Sequence, residues 1–203
     1  MAYGDFTLDA LEQRAGLALR RDRLYTAVQP VEVPPWLRET LELGGVFALN
    51  EKSRSEFVVA PVLLACRRLC QDRFTIYSGE RLDVDPDRGL VGECDFFLSL
   101  SEPMPFVRPP VVVLVEAKRG DIDLGIGQCA AQMVGAGVFN ERHGRPALPI
   151  HGCVTSGDNW LFLRLDGAVL TIDLDRYYLT ELGKILAIFQ TIIASYPPEA
   201  AAA

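Results

Sequence analysis

Apolar and polar positions along the chain fall into blocks whose period changes several times. From Thr7 to about Arg23, Leu8, Leu11, Ala15 and Ala18 recur at helical spacing behind Thr7, a suitable N-cap, so this stretch is expected to be a helix. Three prolines keep Gln29 to Trp36 extended, and a short helix from Trp36 to Leu43 is stopped by Gly44-Gly45. Ser53 followed by Glu56 has the capping-box spacing. It predicts a helix from about Arg54 to Gln71, with Pro61 forcing a bend or a restart inside it. Phe74 to Ser78 and Glu93 to Ser101 read as strands. Val111 to Val115 is an unbroken apolar run ending in Glu116-Ala117-Lys118, the pattern of a strand buried on both faces until its end.

The second half continues with a helix from Gly125 to about Asn140, formed despite its glycines, and a strand over Ile150 to Thr155. Two further strands, Asn159 to Leu165 and Ala168 to Leu174, flank Asp166-Gly167, a strong hairpin signal. A closing helix from Thr180 to Ser195 carries Leu182, Ile185, Leu186, Phe189, Ile192 and Ile193 on one broad face. That face is read as core, with a homodimer contact as the alternative. The element order predicts an α/β (α+β) fold with a mixed central sheet flanked by helices. A length of 203 residues suits one domain. Residues 1–50 then form an N-terminal helical arm, and residues 51–203 the main body with its C-terminal hairpin and helix.

Composition narrows the function classes. With 49% hydrophobic and 23% charged residues, the chain resembles an ordinary soluble protein. Five cysteines, an odd number without a CxxC pair, and two histidines exclude a disulfide scaffold and the usual zinc spacings. The start carries acids where a signal peptide needs a basic flank. The apolar stretch Leu182 to Tyr196 is shorter than the roughly 18 residues a membrane span needs. A cytoplasmic protein without membrane contact is expected. The net charge of −7 opposes a broad basic surface for nucleic acid, and only Lys52, Lys118 and Lys184 are lysines. It leaves room for carboxylates gathered around a cation.

Side chains alternate along a strand, so Glu116 and Lys118 share a side. Opposite charges at the end of a buried strand are costly unless partnered. Asp95 lies in an apolar setting on the preceding strand, and antiparallel pairing places it beside Glu116. Two adjacent carboxylates repel, and a divalent cation relieves them. The plain alternative is a salt bridge from Lys118 to Asp95 or Glu116. Glu93 shares the strand face of Asp95 and is expected to be solvated. Glu56 is either the third residue of a capping box or a further ligand. Gln128 and Gln132 share a helix face; Gln128 is nearer the helix start and the better candidate, while Gln132 reads as an exposed position. Lys52, Arg54, Arg119, Arg142 and Arg145 are candidate phosphate contacts.

Asp95 followed by Glu116-Ala117-Lys118, with Glu56 on a preceding helix, resembles the PD-(D/E)XK nuclease superfamily, over roughly residues 54–155. The stretches EKSRSE, GECDFFLS, VEAKRGDI and GQCAAQM are similar to those of a group of uncharacterised bacterial proteins with this core. Cys94 stands where the motif has proline. The resemblance implies a restriction-endonuclease-like core that hydrolyses nucleic acid, with DNA as the expected substrate. It further implies Mg²⁺ (or Mn²⁺) held by Asp95, Glu116 and the Ala117 carbonyl, Lys118 orienting or acidifying the attacking water, Glu56 as a further ligand through water, and Gln128 beside the site. The alternative is an inactive domain of the same fold serving binding or assembly.

Overall fold

The computed structural model describes residues 1–145 and 147–197. Its α+β fold is an open, mixed sheet of eight strands with helices on its faces. The strands are β1 (Ala18–Asp22), β2 (Thr75–Arg81), β3 (Glu93–Ser99), β4 (Val111–Ala117), β5 (Ile150–Thr155), β6 (Asn159–Asp166), β7 (Val169–Asp173) and β8 (Tyr177–Tyr178). Their order is β1-β7-β6-β5-β4-β3-β2, with β8 paired to β6. β2, β3 and β4 form an antiparallel meander, whereas β4 and β5 run parallel, joined through helix α5 (Ile126–Arg142).

β4 is buried along its whole length, as its apolar run predicts. Val113 and Val115 face one apolar cluster and Leu114 the other, so the sheet has a core on each side. The first cluster takes in α4 (Ala60–Leu69) and α6 (Leu182–Ala194); the broad apolar face of α6 is therefore core. The second takes in α5 and the N-terminal residues Tyr3, Phe6 and Leu11. Two glycines of α5 make that contact feasible. A Cβ on Gly127 would collide with the Phe6 carbonyl, and one on Gly135 with the Tyr3 hydroxyl. Among the described residues, the stretch long and apolar enough to cross a membrane is Ile122–Arg142. Most of it is buried within this fold.

Two of the expected helices change. The helix expected to run to Arg23 is α1 (Leu8–Ala15), capped by Thr7, whose Oγ1 accepts from the Ala10 amide at 3.2 Å. It stops because Gly16 adopts a left-handed conformation, φ 66°, and turns the chain into β1. β1 pairs parallel with β7, from Ala18 opposite Val169 to Asp22 opposite Asp173. The helix α2 (Pro35–Gly45) matches its expected position within about two residues.

The next helix starts at Glu51, earlier than the Ser53–Glu56 spacing implies. Asn50 is its cap: the Ser53 amide donates to Asn50 Oδ1 at 2.9 Å, and Ser53 Oγ accepts from the Asn50 amide at 3.0 Å. The helix runs through α3 (Glu51–Arg54), a π-helical turn over Ser55–Val59, and then α4. The wider turn lies just before Pro61, which has no N–H to give to the Phe57 carbonyl.

Candidate metal and phosphoryl-transfer site

The site forms at the C-terminal end of β4, where the parallel pair β4–β5 opens. The Lys118 amide donates to the Thr155 carbonyl at 2.7 Å and fixes the chain beyond the strand. On the other side, β3 and β4 pair with Phe96 opposite Val115. Asp95, half-buried, follows that register and accepts from the Ala117 amide at 2.7 Å through Oδ2. Asp95 and Glu116 are thus neighbours on adjacent antiparallel strands.

Glu116 is buried, 2% exposed. Its Oε1 lies 2.7 Å from Lys118 Nζ, and its Oε2 accepts from Gln132 Nε2 at 2.9 Å. Lys118 Nζ also donates to Gln128 Oε1 at 3.0 Å. The lysine stem packs on Gly125, where a Cβ would stand 3.1 Å from two of its carbons. The salt bridge expected as the plain alternative is therefore formed with Glu116, and Gln128 lies beside it.

The electrostatics are those of crowded acids. Burial, then the charge of Asp95, pushes the Glu116 pKa up to about 7, against the opposing pull of Lys118 and Gln132. Burial also raises the Asp95 pKa, helped by Glu51 and Glu93 and opposed by the Ala117 amide and Lys118. Burial acts to lower the Lys118 pKa, but Glu116, Glu51 and Asp95 outweigh it and hold the ammonium above the ordinary lysine value.

Two residues differ from their expected placement. Glu56 pairs with Lys52 at 3.3 Å on an exposed turn, and no hydrogen bond or ion pair among the described residues joins it to Asp95 or Glu116. The acid that reaches the site from this helix is Glu51. Its Oε2 accepts from the Arg119 amide at 3.2 Å, and its charge acts on both Asp95 and Lys118. The displaced helix start accounts for the exchange. Gln132, read as exposed, is fully buried against Glu116, and its Oε1 has no partner among the described residues. A glutamine four residues after Gln128 was the available signal. Glu93 is exposed, as expected.

Among the candidate phosphate contacts, Arg54 is committed to the Ser156 carbonyl and to Asp158, both at 2.8 Å, and Arg142 lies 3.6 Å from Asp85. The oxygen donors the strands bring together for a metal are the carboxylates of Asp95 and Glu116. Among the described residues, no group of three or more His, Cys, Asp and Glu side chains forms a metal cluster. Mg²⁺ fits the smaller set, because it keeps several waters and takes one or two carboxylates. The two acids, each raised in pKa by burial, provide the charge such an ion offsets. No protein-family model matches the chain, and no curated protein matches it.

Proposed function

We propose that the chain is a Mg²⁺- or Mn²⁺-dependent phosphodiesterase acting on nucleic acid, with DNA as its first substrate and a restriction-endonuclease-like core. The observation that carries this reading is the neighbouring pair Asp95 and Glu116, both raised in pKa, with Lys118 Nζ 2.7 Å from Glu116. Asp95, Glu116 and the Ala117 carbonyl would hold the ion. When bound, it supplies charge neutralisation at the phosphorus and lowers the pKa of a coordinated water.

The chain's own residues have separable roles. Gln132 Nε2 fixes the plane of the Glu116 carboxylate, and the Ala117 amide fixes that of Asp95. Lys118 acts as a hydrogen-bond donor to the attacking water or a phosphate oxygen. A base role would require it to release a proton that Glu116, Glu51 and Asp95 all help to retain. Gln128 Oε1 steadies the ammonium.

The test is a panel of single- and double-stranded DNA and RNA incubated with Mg²⁺ or Mn²⁺. The native chain should cleave at least one substrate and Glu116→Ala none. Lys118→Ala should slow cleavage by about 10²–10⁴-fold. Equal cleavage by all three proteins, or cleavage by none, overturns the proposal.

A second reading, a binding or assembly module of the same architecture, is favoured by one observation. The Lys118 ammonium is already satisfied by Glu116 and Gln128. The net charge of −7 points the same way, because a protein that grips nucleic acid unaided needs cations at the phosphates.

A further inference from the structure

On the α6 side of the sheet lies a cavity of about 440 Å³, remote in sequence from Asp95 and Glu116. Its walls are mostly apolar, with Val28, Leu148 and Ile192 among them; two cross-strand neighbours, His151 on β5 and Arg164 on β6, supply polar groups beside the Tyr25 hydroxyl, which has no hydrogen-bond partner among the described residues. His151 is only 6% exposed. Its Nδ1 lies 2.7 Å from the Tyr196 hydroxyl, which also lies 2.7 Å from the Pro149 carbonyl. The hydroxyl has one proton, and a carbonyl can only accept. Tyr196 therefore donates to Pro149 and accepts from His151 Nδ1–H. The Nε2 of this neutral ring keeps its lone pair, and the hydrogen bond His151 makes among the described residues is the one through Nδ1. Burial, with the charge of Arg164, lowers the His151 pKa to about 3, so the ring is an acceptor throughout the neutral range. Arg164 donates through Nη2 to Asp166 at 2.8 Å and has further N–H groups to offer.

We propose that this cavity binds a small planar heterocycle bearing a lactam edge, an N–H next to a C=O. The ring N–H donates to His151 Nε2, the neighbouring carbonyl accepts from the Arg164 guanidinium, and the apolar walls cover the ring faces. An acceptor and a donor on directly paired residues of adjacent strands match an adjacent donor and acceptor on the ligand. An anion meets the same cation but also the lone pair of Nε2, which repels it. The volume lies within the range of small-molecule sites.

Ligand-observed NMR with 2-pyridone, N-methyl-2-pyridone and benzoate tests the assignment. 2-Pyridone should bind at least tenfold more tightly than its N-methyl analogue, which cannot donate, and more tightly than benzoate. Arg164→Met, at a side chain 44% exposed, should keep the native melting midpoint and lose at least tenfold in 2-pyridone affinity. His151→Phe should lose binding too; if that variant fails to fold, Arg164→Met and the methylated probe still decide. Equal binding of the two pyridones, tighter binding of benzoate, unchanged affinity in Arg164→Met, or no binding of any probe overturns the proposal. Because the readout is binding at a different place in the fold, the result does not depend on nuclease activity.

Discussion

Glu116, one residue before the end of β4, and Asp173, at the end of β7, lie on strands that point the same way, and both residues are almost fully buried, 2% and 1% exposed. Their surroundings differ. Asp173 accepts from neutral donors, the amides of Leu24 and Asp175 at 3.3 and 3.1 Å and the Tyr177 hydroxyl at 3.1 Å; burial raises its pKa, these bonds oppose the rise, and the charge of Asp175 is the weakest of the influences on it. It ties the chain just after β1 to the turn after β7, with both carboxylate oxygens engaged. Glu116 faces a lysine, a glutamine and a second acid, and that acid adds to the rise of its pKa. A buried carboxylate among neutral donors is a clamp, whereas one crowded by another carboxylate retains a demand for positive charge.

Substitution separates the two. Asp173→Ala strips partners from three donors and should cost about 3 kcal/mol in urea unfolding. Glu116→Gln removes a charge from a crowded place and should change metal-free stability by no more than about 1 kcal/mol. Equal losses at the two positions would erase the distinction. Next in size is the response to metal: at Mn²⁺ one hundred times its dissociation constant, the native fold should gain about 2.7 kcal/mol. Asp95→Asn should abolish that gain and Asp173→Asn should leave it, read by the thermal midpoint.

A pH series sharpens the contrast further. Folding raises the Glu116 pKa from 4.5 to about 7, so the folded state binds the proton more tightly than the unfolded chain. The stability this group contributes is complete below pH 4.5 and is lost as pH rises through 7. Without metal, the stability difference between native protein and Glu116→Gln should decline over that window. Mn²⁺ affinity should rise over the same window, since metal and proton compete for one carboxylate. A flat difference would mean that Glu116 is not the titrating group. The smallest effect belongs to the helix acids: Glu56→Gln should alter stability by under about 0.5 kcal/mol and leave the Mn²⁺ response unchanged. Glu51→Gln should weaken that response by about 0.5 kcal/mol.

Much of this architecture was legible in the chain because the cause was local. The apolar run of Val111 to Val115 marks a strand buried on both faces, and the alternation around Phe96 and Phe97 marks its neighbour. Together they predict the approach of Asp95 to Glu116. The misplacements have longer-range causes. Leu19, Arg20 and Arg21 show no alternation because β1 is an exposed edge, and its partner lies far along the chain. Gly16 carried the signal that the helix ends there. Asn50 competed with Ser53 as a cap, and the difference decided which acid faces the site. Gln132 looked like a solvent position because the sequence around α5 does not reveal that β4 covers it.

The pairing of β1 with β7 bears on the order in which the molecule can be made. Ala18 to Asp22 leave the ribosome long before Val169 to Asp173 exist, so this strand waits without a partner while the rest of the sheet is synthesised. During that interval Arg20, Arg21 and Arg23 are a charged segment that other nascent strands have little reason to join. Closure of the sheet edge is then a late event, and a ribosome-bound chain stopped before residue 169 should leave residues 18–22 open to protease.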